Sequence, residues 1–214
     1  MDTFFALPAD DAMVDRASPT DPDNPFLTTR YLQSQRMLGR EPWLLYLESA
    51  GEMRAAALCF LERGRVNRTL TIPSSPSVDD ASPFWPGLRA FIDEQGVTDL
   101  ELSTFATPES RIPPWPEELE RIDRTEFAMP LKDLELLPRI SKSHRERISK
   151  GRRKGLIVRR GHSDAAIDAH IALHIHSMER RQSRGEDVSL EFERAGSAAL
   201  LASVAGELFQ AMLG

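Results

Sequence analysis

The hydrophobic pattern between residues 43 and 72 predicts three consecutive β-strands. Trp43–Leu47 is a continuous apolar run, and Met53–Leu61 is a second run that follows a glycine-containing turn. Arg63-Gly64 provides the next turn signal, and Val66–Ile72 follows it as a third strand. We therefore expect a three-stranded antiparallel meander.

A helix is predicted on each side of this meander. Thr28 or Thr29 can cap a first helix that runs to about Leu38. The second helix ends at Gly96, before a short strand at Val97–Leu102. Its apolar residues recur at helical spacing, at Phe84, Leu88, Phe91 and Ile92. A helix that returns to a new strand is a crossover unit, so we expect an α/β fold.

Residues 1–25 and 104–138 contain the strongest breaks in this pattern. Four prolines among many aspartates in 1–25 predict an irregular lead-in with room for one short element. A proline-rich loop follows the strand at Val97–Leu102, and Thr125–Leu131 predicts one more strand. We therefore divide the chain into a lead-in at 1–25, a first domain at 26–138 and a further unit at 139–214.

The unit at 139–214 is predicted to be helical with one strand. A helix at about 139–154 precedes the apolar strand Leu156–Val158, and a second helix begins at Ser163. This second helix carries a stripe expected to lie in a core, at Ile167, Ile171, Ile175 and Met178. A third helix is expected from about Leu190, with apolar residues at Phe192, Leu200, Leu201, Val204, Leu208 and Phe209. No strand is predicted after it, so we expect an incomplete unit and a truncated chain.

Positive charge is concentrated in the helix predicted at 139–154. Between Arg139 and Arg160, ten lysines and arginines stand against one acid, Glu146, whereas the rest of the chain carries 17 basic and 32 acidic residues. This asymmetry indicates a polyanionic partner, because arginine in particular binds phosphate oxygens in pairs. The candidates for substrate or phosphate binding are Lys142, Arg145, Lys150, Arg152, Arg153 and Lys154. The alternative is a solvated helix face that balances the acidic remainder.

The order of predicted elements and three stretches of sequence resemble the GNAT-like acyltransferases of the Fem type. This family includes the peptidoglycan-bridge aminoacyltransferases and related acetyltransferases. Pro25–Leu32 resembles the opening helix of the family, and Trp43–Leu61 is similar to its first hairpin. Ser141–Val158, followed by a helix that ends at Met178–Arg184, resembles the junction between two GNAT-like halves.

The resemblance implies a mixed, largely antiparallel sheet flanked by helices, with 26–138 as a first GNAT-like domain and 139–214 as the start of a second half. It implies transfer of an acetyl, acyl or aminoacyl group to an amine, with acyl-CoA or aminoacyl-tRNA as co-substrate and no metal. Complete members of the family hold the acyl-donor cleft in the second half. The expected truncation would therefore leave a surface on which a C-terminal half docks, and no catalytic residue is assigned here.

The alternative function is a non-enzymatic module that uses residues 139–160 to bind nucleic acid or another polyanion. Binding of this kind would weaken steeply with salt, because neutralised phosphates release their counterions. The sequence pI near 5.5 argues against a dedicated nucleic-acid protein.

Other candidate residues favour structural roles. Cys59 lies in an apolar run and is predicted to be a core residue. His170 and His174, with His176 nearby, have a spacing that metal ligands use, but we expect them at the boundary of a core. Arg180, Arg181 and Arg184 either bind an anionic substrate or complement the dipole of their helix.

Two segments match half of the acyl-CoA motif Arg/Gln-x-x-Gly-x-Gly/Ala, in which amides at a helix start hold pyrophosphate. They begin at Arg36 and Arg152 and have their glycines at Gly39 and Gly155. Because neither motif is complete, we expect both matches to be chance.

The sequence contains no apolar run near the roughly 18 residues that span a bilayer. The acidic N-terminal segment is also unlike a signal peptide, which begins with basic residues. We therefore expect a cytoplasmic protein.

Overall fold

The fold is α/β, with a mixed five-stranded sheet. A computed structural model describes residues 2–105, 107, 110–123, 125 and 140–213. The strands are β1 (Thr3–Pro8), β2 (Glu41–Ser49), β3 (Glu52–Arg63), β4 (Arg68–Ile72) and β5 (Asp99–Leu102), and they lie in that order across the sheet. Neighbouring strands are antiparallel except β4 and β5, which are parallel. The predicted meander (β2 to β4) and the crossover to β5 are thus confirmed.

Three helices flank the large sheet, namely α1 (Asp11–Ala17), α2 (Thr29–Met37) and α3 (Phe84–Gln95), and a 3-10 turn at Ser18–Thr20 follows α1. Thr28 caps α2 by accepting a hydrogen bond from the amide of Tyr31, as its sequence predicts. Gly96 ends α3 in the left-handed conformation, with φ of 62°.

The sheet is covered on both faces because successive side chains of β2 and β3 point to opposite sides. On one face Leu45, Leu47, Cys59 and Leu61 pack in the cluster that contains Phe84, Leu88 and Phe91 of α3. On the other face Leu44, Leu58 and Phe60 pack with Val14 of α1 and Leu32 of α2. The prediction that Cys59 is a core residue is confirmed, and burial raises the pKa of its thiol.

The N-terminal segment is more regular than its prolines suggested. The prediction of an irregular lead-in at 1–25 is wrong in this respect, because the segment contains both β1 and α1. Asp10 caps α1 by accepting from the amide of Met13 at 2.8 Å. β1 pairs with β2 over Thr3–Pro8, and this pairing outweighs the weak preference of the local sequence for a strand. The strand predicted at Thr125–Leu131 lies outside the described residues, apart from Thr125.

The C-terminal part forms a second, smaller sheet. Its elements are α4 (Lys142–Arg153), β6 (Leu156–Gly161), α5 (Asp164–Gln182), α6 (Arg194–Ala202) and β7 (Leu208–Leu213), and β6 pairs antiparallel with β7. The prediction of a long final helix with no strand after it is wrong. The helix ends at Ala202, and the next apolar residues form β7 because β6 offers them a pairing edge.

The same succession of elements occurs twice. In β1–α1–α2–β2 and again in β6–α5–α6–β7, two helices connect a pair of antiparallel strands. The corresponding helices α2 and α6 also contact each other. The second unit is less well covered than the first: Ile167 is buried, but Ile171, Ile175 and Met178 of the predicted core stripe are only half-buried. Across the described parts of the chain, no helix is both long enough and apolar enough to cross a membrane.

Candidate phosphate-binding helix

Local sequence explains where the basic helix α4 begins and ends. Ser141 precedes it, and its Oγ accepts a hydrogen bond from the amide of His144 and lies 2.7 Å from the Nδ1 atom of His144. Gly155 follows the helix with φ of 76°, in the left-handed region that glycine adopts at little cost. The predicted basic helix is therefore present over Lys142–Arg153, and Arg139 lies outside the described residues.

One face of α4 lines an open depression of about 450 Å³. The lining residues recur at spacings of three, one, three and four, which places them along a single side of the helix. They are Lys142, Arg145, Glu146, Ser149 and Arg153. All of the six predicted residues are exposed, but only Lys142, Arg145 and Arg153 of them line this depression. Lys150 and Arg152 belong to the last turn outside that lining, and Lys154 is the C-cap residue.

The charge of α4 is poorly balanced within the helix. Six lysines and arginines lie between Lys142 and Arg153, and Glu146 is the single acid among them. The Nζ of Lys142 lies 3.9 Å from Glu146 Oε1, and both side chains are exposed, so this ion pair contributes little. The positive last turn is also where a cation interacts favourably with the helix dipole. A ligand with several negative charges would therefore find preformed positive potential here.

Two arginines of the large-sheet unit, which is the five-stranded sheet with α1 to α3, have a different environment. Arg63 lies 2.8 Å from Glu41, and Arg89 lies 2.7 Å from Glu117. The hydrogen bond from Arg63 lowers the pKa of Glu41 below its ordinary value. These cations are part of local ion pairs, whereas α4 has a surplus of cations over its own acids.

The side of α4 away from the depression rests on β6. A Cβ atom added to Gly151 would lie 3.4 Å from Leu156 Cδ1, so the helix approaches this leucine closely. Ile148 is the apolar residue one turn earlier and is still partly exposed. We call the side of α4 that lines the depression, with Lys142, Arg145 and Arg153, the cationic face, and it lies opposite the side that contacts Leu156.

The two half-matches to the acyl-CoA motif do not form phosphate cradles. Gly39 and Gly155 both have φ of 76° and follow the ends of α2 and α4, whereas a cradle needs amides at the start of a helix. Arg36 donates to Asp11 at 2.9 Å and to the carbonyl of Ala9 at 2.8 Å. Its guanidinium therefore joins α2 to α1.

The first turn of α3, which follows β4, is also unsuited to an anion. Pro83 and Pro86 have no amide hydrogen. The amide of Phe84 donates to Ser82 Oγ, that of Trp85 to the carbonyl of Ser82, and that of Gly87 to the carbonyl of Pro83. The donors at this helix start are thus absent or already used.

The histidines of α5 pack against an aromatic ring. His170 and His174 are half-buried, and their ring centroids lie 5.9 Å and 4.8 Å from that of Phe192. This agrees with the predicted boundary position of His170 and His174, while His176 is exposed. Farther along, Arg181 and Arg184 both bind Glu186, at 2.6 Å and 2.8 Å, so a carboxylate of the chain already lies between them.

The structure adds a buried polar network that sequence patterns did not indicate. Asn24 Nδ2 donates to Ser74 Oγ at 3.0 Å, and Ser74 donates to the carbonyl of Phe105 at 2.6 Å. Ser75 and Ser110 hydroxyls lie 2.9 Å apart. The network ties the loop before α2 to the ends of the parallel strands β4 and β5. Its hydrogen-bonded partners are up to 50 residues apart in sequence, so no local spacing could have revealed it.

No protein-family model and no curated protein matches this chain.

Proposed function

We propose that this chain is an N-acyltransferase that resembles the Fem-type GNAT-like enzymes, and that α4 binds phosphates of its acyl donor or substrate. The observation that carries the proposal is the repeat of the β–α–α–β succession, with the cationic helix α4 directly before the second copy. Ser141–Val158 resembles the junction between the two halves of the family, so the resemblance leads us to expect tandem units joined at a basic helix. The acyltransferase would work in the cytoplasm, where such donors are available.

In this chemistry the protein acts mainly by positioning. A neutral amine attacks the carbonyl of a thioester or ester, and hydrogen-bond donors stabilise the oxyanion that develops. The amides in the first turn of α3 are already hydrogen-bonded within the chain, so they are not available to bind the pyrophosphate of an acyl donor. We therefore expect the acyl donor to be held outside the large-sheet unit, with α4 as its phosphate contact.

The extent of the cationic face favours a donor with several phosphates. Lys142 and Arg153 are eleven positions apart, which corresponds to about 16 Å along a helix. The diphosphate of coenzyme A is too short to contact both ends of such a row, and its 3′-phosphate, on the adjoining ribose, extends this reach only a little. Aminoacyl-tRNA fits this length better than acyl-CoA does. The same observation supports the second candidate function, a non-enzymatic module that binds nucleic acid through α4.

The test compares two triple variants with equal net charge. The site variant replaces Lys142, Arg145 and Arg153 by Gln, and the control variant replaces the exposed Arg30, Arg54 and Arg65 of the large-sheet unit by Gln. Binding to a tRNA minihelix and to coenzyme A is measured from 50 to 200 mM salt. If each site cation neutralises one phosphate, the site variant lowers the slope of log K against log salt by about 2–3 for a duplex. The control variant should change this slope little.

Turnover then separates the two functions. The wild-type chain is incubated with acetyl-CoA or with charged tRNA and a panel of amines, and release of the free thiol or of deacylated tRNA is followed. Turnover that the site variant loses and the control variant keeps supports the acyltransferase. Tight, salt-sensitive binding without turnover supports the binding module instead. Equal binding by both variants would contradict a role for α4 in either function.

A further inference from the structure

Among the described residues that line the depression on α4, Glu146 is the one carboxylate. Ser149 follows it three positions later, on the same side of the helix. A carboxylate repels phosphate, so a surface that bound phosphate alone would gain from a neutral residue in this place. The position of Glu146 within the cationic face therefore needs a reason other than phosphate binding.

Helix stability does not account for Glu146. An acid in the first turn of a helix interacts favourably with the dipole, but the first turn of α4 contains no acid, and Glu146 is its fifth residue. In the i, i+4 pair with Glu146, Lys142 comes first, which is the weaker of the two orders. The distance of 3.9 Å and side-chain exposures of 85% and 67% weaken the pair further. Glu146 can therefore exchange Lys142 for a ligand group at little cost.

Binding of phosphate to α4 would change the surroundings of Glu146. In the free protein, the Nζ of Lys142 competes with any other cation for this carboxylate. A phosphate bound to Lys142 takes over its ammonium group, because charge-assisted hydrogen bonds to phosphate are stronger than an exposed ion pair. Glu146 then carries an uncompensated negative charge beside the bound phosphates, and a cationic group of a second ligand can bind to it.

We propose that Glu146 binds the ammonium group of the acceptor amine, after phosphates of the acyl donor have drawn Lys142 away from it. Glu146 gains this role only if α4 binds phosphates, so the inference rests on the proposed function. A primary amine is protonated at neutral pH, and its N–H groups can donate to the carboxylate and to the hydroxyl of Ser149. The cationic face repels an ammonium group until phosphates neutralise it, so the donor binds before the amine.

The first test uses the protein without a donor and ethylamine as the probe. Lys142→Gln removes the cation that competes for Glu146, so it should lower the Kd of ethylamine about 3- to 5-fold. The control Arg147→Gln removes an exposed cation of α4 outside the lining of the depression, and should change this Kd by less than about 2-fold. NMR titration of the α4 amides at neutral pH and constant ionic strength gives the Kd values. Tetramethylammonium, a cation without N–H donors, controls for charge alone.

The second test repeats the titration with a saturating tRNA minihelix that carries no acyl group. The minihelix should lower the Kd of ethylamine for the wild type by a similar factor, because its phosphates engage Lys142. Glu146→Gln should abolish this coupling. The control Glu179→Gln, which removes an exposed carboxylate of α5, should preserve it.

The gain from Lys142→Gln together with the loss of coupling in Glu146→Gln supports the inference. Equal effects of Lys142→Gln and Arg147→Gln, equal binding of ethylamine and tetramethylammonium, or coupling that persists in Glu146→Gln would overturn it. In each of these cases the phosphate contact of the proposed function stands if the minihelix still binds α4 with the expected salt dependence. A minihelix that does not bind α4 would overturn both.

Discussion

Replacing Gly87 by Ala should destabilise the large-sheet unit, although alanine is the better helix former. Gly87 lies in α3, where alanine is favoured over glycine by about 0.5–1 kcal/mol. The added Cβ, however, would lie 2.5 Å from Cδ1 and 2.7 Å from Cβ of Phe4 in β1. Overpacking of this kind costs about 1–3 kcal/mol. We expect a net loss of about 1–2 kcal/mol in the free energy of unfolding.

The Phe4 ring has little room to move away. It packs edge to face on Phe84 with centroids 5.6 Å apart, a contact worth about 0.5–1.5 kcal/mol in itself. Phe4→Ala removes the ring and so relieves the overlap with the ring atoms. The overlap with the Cβ of residue 4 remains, because alanine keeps that atom. In that background the Gly87→Ala change should therefore cost at least about 1 kcal/mol less than in the wild type.

Urea unfolding measures these effects, followed by tryptophan fluorescence and by far-UV circular dichroism. Trp43, Trp85 and Trp115 all report on the large-sheet unit, so fluorescence isolates the unit that contains Gly87. The matched control is Gly196→Ala in α6, where the added Cβ would meet Glu193 Oε2 at 3.8 Å, an ordinary contact. It should be neutral or stabilising by up to about 1 kcal/mol. A Gly87→Ala protein as stable as the wild type, or a cost unchanged by Phe4→Ala, would refute the reasoning.

Two further predictions concern ionisable groups of the same unit. The hydrogen bond from Arg89 lowers the pKa of Glu117 from 4.5 to about 2, so the stability that this pair contributes is complete above pH 4.5 and is lost as the pH falls towards 2. In Arg89→Met the carboxyl carbon of Glu117, followed by NMR, should titrate near its ordinary pKa, and an unchanged midpoint would rule out Arg89 as the cause. Burial of Cys59, which raises the pKa of its thiol, should make labelling by a thiol reagent at pH 8 at least about 1,000-fold slower in the native protein than in 6 M guanidinium. Rapid labelling under native conditions would contradict the core position.

The local sequence determined most of the large-sheet unit. The β2–β3 hairpin and the caps of α2 and α3 follow from short-range preferences, since apolar runs, turn residues and cap side chains act within a few positions. The same holds for α4, because Ser141 and Gly155 bound it and its charge is evident from the residues alone.

Tertiary structure decided what depends on distant partners. Leu208–Leu213 is an apolar run too short to distinguish helix from strand, and it forms β7 because β6, about 50 residues earlier, offers it hydrogen bonds. Three of the six predicted cations share one depression, which depends on helix phase and packing as well as charge. The exposure of Val158 and Phe209 on the small sheet is likewise decided by which elements cover that sheet. Pairing and burial are properties of the whole fold, so no window of sequence contains them.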